Sequence, residues 1–160
     1  MQIRKIALAA AALTTASGIA LAQPLGESWL LGAPDDAARF EILERDAGGT
    51  GRTMLEMSIR YERMYQAIVD GNLQFALQNW DGIVGSLDRG LVRRPDRTDL
   101  ANAFILDTLA DEVAVVLESG DVAASQEAFL RVRSACMGCH QASELGYMND
   151  QPLFSDLVLE

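Results

Sequence analysis

The 160-residue chain is short of several residue types, and each shortage narrows what it can be. Its only cysteines are Cys136 and Cys139, its only histidine is His140, and its only lysine is Lys5. Two cysteines are too few for a disulfide-built scaffold. Together with one histidine they fall short of the four ligands of a structural zinc site. No segment alternates apolar and polar residues over strand length, so there is no strand signal. No apolar run is long enough to favour a membrane span. Basic side chains are also scarce, 13 against 23 acidic ones. A surface of that sign excludes nucleic acid as an expected partner.

What is present starts at the N-terminus. Residues 1–22 read as a secretory signal: Arg4 and Lys5, an apolar run from Ile6 to Leu13, and Ala20-Leu21-Ala22 at the end, with cleavage expected before Gln23. The expected location is the periplasm. Losing Arg4 and Lys5 leaves 11 arginines against 23 acidic side chains, a formal charge of −12. That charge keeps a protein soluble and can steer it toward a basic docking surface on a partner.

Cys136-Met137-Gly138-Cys139-His140 reads C-x-x-C-H, the attachment signature of a c-type haem. Two thiols add across the two haem vinyl groups, and the adjacent imidazole faces the iron as proximal ligand. The competing readings are a thioredoxin-like dithiol, a disulfide, or half a zinc site. The first wants a βαβ context that is missing here, and the last lacks a fourth ligand. The expected cofactor is therefore one covalently attached haem c, anchored by Cys136 and Cys139 with His140 on the metal.

Between signal and signature the periodicity is helical. Residues 23–51 form an N-terminal extension punctuated by Pro24, Gly26, Gly32 and Pro34. A short helix is expected over Asp35 to Asp46, with Phe40, Ile42 and Leu43 as packing residues, before Gly48-Gly49-Thr50-Gly51 breaks the chain. From Arg52 to Val69 the residues Met54, Met57, Tyr61, Met64 and Ile68 make an a/d seam. Asp70-Gly71-Asn72 closes that helix and caps the next, Leu73 to Leu87, whose stripe is Leu73, Ala76, Leu77, Trp80, Ile83, Val84 and Leu87. Gly90 to Arg97 reads as a loop holding the basic cluster Arg93, Arg94 and Arg97. A third helix is expected from Asp99 to Glu118, capped by Thr98, with stripe Ala103, Leu106, Ala110, Val113 and Leu117. The fourth, Val122 to Ala142, puts Phe129, Val132, Cys136 and His140 on one face. These elements predict an all-α fold, an antiparallel up-down-up-down four-helix bundle with an N-terminal extension, occupying 52–160 with a C-terminal tail.

A haem signature near the C-terminal end of a four-helix bundle resembles the class II c-type cytochromes, the cytochrome c′ and c-556 type. The resemblance covers about Arg52 to Ala142, with Cys136 to His140 as its firm motif. It implies a periplasmic monohaem protein and leaves a homodimer open.

The other axial position is narrowed by elimination. One histidine and no lysine after the signal exclude those ligands, leaving a methionine, an unusual group such as the new N-terminal amine or a tyrosine, or an open iron. In the expected topology the end of the last helix lies beside the first half of the Arg52–Val69 helix. Met57 then faces the haem, with Met54 second. Met64 is roughly 10 Å further along the axis and too far, and Met148 reaches only if the tail wraps the haem edge. The same geometry places Leu87, Phe104 and Val132 in the pocket wall, along with Ile83, Val84, Leu100 and Phe129, and aims Tyr61 at the distal side. The expected function is single-electron transfer between redox partner proteins without catalysis of bond-making. The alternatives are a five-coordinate protein that binds NO or CO, and a haem subunit of a larger periplasmic oxidoreductase.

Overall fold

A computed structural model describes residues 29–157; the expected signal and its cleavage site lie outside them. Among the described residues every regular element is helical. The chain divides into two compact units, one up to Glu44 and one from Arg45. Helix α1, Asp36–Ala47, runs across that division. Asp35 starts it by accepting the Ala38 N–H at 2.8 Å. Phe40 and Leu43, expected as packing residues, are exposed.

The second unit begins with α2, Thr50–Val69, which buries Thr53, Met57, Tyr61, Met64, Ala67 and Ile68. Its end shows why the turn is legible. Gly71 sits at φ +69°, and the Asn72 N–H returns to the Ala67 carbonyl at 2.8 Å, closing a Schellman motif. The Asn72 side chain then accepts the Phe75 N–H and caps α3, Leu73–Arg93. The two helices are antiparallel, with Thr53 beside Gly90 and Arg60 beside Gly82.

Helix α3 runs six residues beyond the expected end at Leu87. Gly90, expected to open a loop, is instead a helical contact point, where an added Cβ would stand 2.8 Å from Thr53 Oγ1. Only the approach to Pro95 ends the helix, in a 3₁₀ turn over Pro95–Arg97.

The expected third helix is broken. Residues Thr98–Ala101 form a turn of helix (α4), Asn102–Leu106 are π-helical, and α5 resumes at Ala110–Glu118. Thr98 makes no side-chain cap. The Asp107 N–H reaches back five residues to the Asn102 carbonyl at 3.1 Å. The buried stripe is Ala101, Ile105, Leu109, Val113 and Leu117, rather than the one built on Ala103, Leu106 and Ala110. A repeat of four outruns the 3.6 residues of an α-turn by about 40° at each step. The wide π-turn absorbs the excess and keeps the stripe on the core.

Helix α6, Val122–Ala142, starts at Asp121, which accepts the Ala124 N–H at 3.0 Å. It buries Ser125, Ala128, Phe129 and Val132. Helix α2 packs along α3, α3 along α5, α5 along α6, and α6 against α2, a bundle-like arrangement. None of the described helices is long and apolar enough to cross a membrane.

At the middle of the core Trp80 is fully buried, and its indole N–H donates to the Ala110 carbonyl at 2.8 Å, tying α3 to α5. Trp80→Ala is expected to destabilise the fold by about 3–5 kcal/mol, through cavity formation and loss of the indole hydrogen bond. A lowered urea midpoint with a retained slope checks this.

Candidate functional site

The last two turns of α6 are where buried core gives way to open space. Val132 is fully buried. One turn later Cys136, and then Cys139 and His140, line a cavity of about 520 Å³, within the usual range for ligand sites. Because α2 and α3 are antiparallel, the start of one and the end of the other meet at this level. Helix α2 contributes Met54, Met57 and Tyr61; α3 contributes Ile83, Leu87 and Leu91; Leu100 and Ala101 follow.

The fourth wall is the tail beyond α6. The helix ends with the Leu145 N–H on the His140 carbonyl at 2.9 Å and Glu144 at φ +61°, a left-handed position usually given to glycine. That reversal turns the chain back through a 3₁₀ turn, Gly146–Asn149, and a short helix α7, Pro152–Ser155. Tyr147, Met148, Gln151, Leu153 and Phe154 thereby line the cavity. Arg133 fastens the tail by donating to the Leu157 carbonyl.

The electrostatics of the wall are one-sided. Among the described residues, Arg94 and Arg97 line it and no Asp or Glu does. Burial, and next to it the neighbouring Cys139, push the Cys136 thiol up to about 12. Burial also raises Cys139, against the opposing pull of a Ser143 hydrogen bond and Arg97. Both cysteines are free. Thiols held neutral this way are poor attacking groups for disulfide exchange, which needs thiolate. A thioredoxin-like role is therefore disfavoured chemically as well as by fold. Among the described residues no cluster of three or more His, Cys, Asp or Glu is placed to hold a metal ion, so a zinc reading lacks its ligand set.

Three further contacts order the site. His140 Nδ1 lies 3.0 Å from Asn149 Oδ1. Asn149 Nδ2 donates to the Met137 carbonyl at 3.1 Å. Tyr61 accepts a hydrogen bond from Arg133 Nε at 3.2 Å and stacks on Phe129 with ring centroids 4.5 Å apart. Burial raises its hydroxyl to about 12, so it stays a neutral phenol.

Of the residues expected at the site, Cys136, Cys139, His140, Met57, Met54, Leu87, Ile83, Leu100 and Tyr61 converge on the cavity, and Met148 joins them. Met64 is fully buried and does not line it. Four expected wall residues do not line it either. Val132 lies a turn deeper, in the core. Phe104 lines a separate, shallow hollow with Leu130, Arg131 and Ser134 and covers Gly138, where an added Cβ would stand 2.7 Å from its ring. Val84 and Phe129 are likewise outside the lining.

Sequence reasoning missed Arg94, Arg97 and the wall made by the tail. The only signals were a basic cluster in an acidic chain and a handful of apolar residues after Ser143. With the fold and cavity in hand, the class they define is an all-helical bundle with an apolar end cavity. No family model, curated protein or solved structure matches the chain.

Proposed function

We propose that this protein is an exported c-type cytochrome that carries single electrons between redox partner proteins and catalyses no bond-making. In this reading α2, α3, the Thr98–Glu118 segment and α6 make an antiparallel four-helix bundle of the cytochrome c′ type. One observation carries it. The chain's only two cysteines and only histidine, in C-x-x-C-H order, open together into a cavity that Met54 and Met57 also line.

The residues present fit the group. Cys136 and Cys139 are free cysteines that open on the same cavity. Each would add across one vinyl group, a C–S bond forming at one vinyl carbon and the thiol hydrogen going to the other, so no oxidant or reductant would be consumed. His140 would supply a nitrogen and Met57 a sulfur to the iron, with Met54 and Met148 also within the wall. Arg94 and Arg97 are the two arginines of the described lining, suited to the two propionate carboxylates. Ile83, Leu87, Leu91 and Phe154 exclude water and keep the local dielectric low. When bound, the haem supplies a one-electron iron couple.

An absorption spectrum of the purified mature protein, ferric and ferrous, with and without CO, tests the reading alongside an alkaline pyridine haemochrome. A haemochrome of the doubly thioether-linked type and a low-spin spectrum indifferent to CO are expected. A high-spin spectrum that shifts with CO would replace the electron carrier by a five-coordinate gas-binding protein. A mature chain whose mass is that of its amino acids alone would end both.

A further inference from the structure

His140 is the chain's one imidazole, so whatever orients it sets the site's only nitrogen donor. The tail provides that orientation. A backbone carbonyl only accepts hydrogen bonds, so the Asn149 atom 3.1 Å from the Met137 carbonyl is the amide NH₂. The Asn149 amide oxygen is thereby left facing the ring, 3.0 Å from His140 Nδ1. That oxygen also only accepts. Nδ1 therefore carries a proton, and in the neutral imidazole Nε2 is the ring nitrogen with the lone pair.

We propose that Asn149 is a positioning residue that locks His140 in the Nδ1–H tautomer and reserves Nε2 for a metal in the cavity. The lock is built into the fold. The left-handed Glu144 and the Leu145-to-His140 hydrogen bond reverse the chain. The 3₁₀ turn Gly146–Asn149 then brings Asn149 back beneath the last turn of α6. Phe154 packs edge-on against both His140 and Tyr61, at 5.9 Å from each ring, and holds the imidazole from a second side. A partner on the far ring nitrogen also raises the donor strength of the near one, which favours the oxidised metal. This redox consequence rests on the haem reading above; the tautomer does not.

With a single histidine, an ¹⁵N spectrum of the full mature chain shows one imidazole and no others. Protonated Nδ1 and unprotonated or metal-bound Nε2 are expected in the wild type, with slowed exchange of the Nδ1 proton. Asn149→Ala should speed that exchange by about tenfold, the loss of one buried hydrogen bond. In the loaded protein the same change should raise the midpoint potential, whereas Asn149→Asp, a stronger acceptor, should lower it. Opposite signs for the two variants are what a purely structural role would not produce. Shifts of the same sign, or none, overturn the proposal. If the mature chain carries no haem, the cytochrome reading fails while the lock is still decided by the wild-type spectrum: a proton on Nε2 overturns it.

Discussion

Replacing Cys136 and Cys139 together by alanine is expected to yield a mature chain whose mass equals its amino acids alone and which gives no covalent haemochrome. In the proposed reading each thiol makes one of two thioether links, so a single replacement should leave a singly linked haem with an altered haemochrome band, and only the double replacement should abolish attachment. His140 and the apolar wall remain, so any residual haem is bound reversibly and is removed by denaturation. The stability effect is large as well. On the haem reading, a cavity of about 520 Å³ would lose the body that fills it, and its apolar walls would hydrate or collapse. The loss is expected to be a substantial share of the roughly 5–15 kcal/mol that holds a domain of this kind together. Alanine is preferable to serine at Cys136. That position is enclosed enough to push its thiol up to about 12, and a buried hydroxyl without a partner would add its own cost of about 1–3 kcal/mol. Mass spectrometry and thermal unfolding of the paired variants check both halves. A double variant that keeps covalent haem would sink the attachment chemistry.

Met57→Leu is expected to convert a low-spin iron to a high-spin one that binds CO and to lower the midpoint potential. Leucine keeps the side-chain volume while removing the sulfur, so it separates ligation from packing. Met57→Ala would confuse the two, because Met57 is only 7% exposed and truncation alone costs about 2–5 kcal/mol. Met54→Leu and Met148→Leu serve as controls, since both residues line the same cavity. If Met57→Leu leaves the spectrum unchanged, Met57 is a packing residue. If the spectral change follows Met54 or Met148 instead, the sulfur is supplied from one turn earlier in α2 or from the tail.

Several elements were legible residue by residue because their signals are local. Helix α6 and its signature needed only spacing: Phe129, Val132, Cys136 and His140 share a face whatever surrounds them. The α2–α3 hairpin was equally readable, since Gly71 supplies the left-handed turn and Asn72 the cap within three residues. Met57 and Leu87 followed from antiparallel pairing of those helices, and both reach the cavity. The misreadings share a cause. Gly90 looks like a helix end but is a small residue beneath Thr53, a fact of the neighbouring helix. The Ala101–Ile105–Leu109–Val113–Leu117 stripe looks out of phase until a π-turn is inserted.

The sequence by itself determined the helical elements, the sign of the surface charge, and the chemistry of the Cys136–Cys139–His140 cluster, because composition and short-range spacing act before any packing occurs. Only the tertiary structure decided what surrounds that cluster. Arg94 and Arg97 became wall rather than loop, the tail became a fourth side, and Asn149 came to rest nine residues from the histidine it orients. Those placements depend on where separate helices end relative to one another and on how the chain reverses at Glu144, which side-chain spacing does not encode.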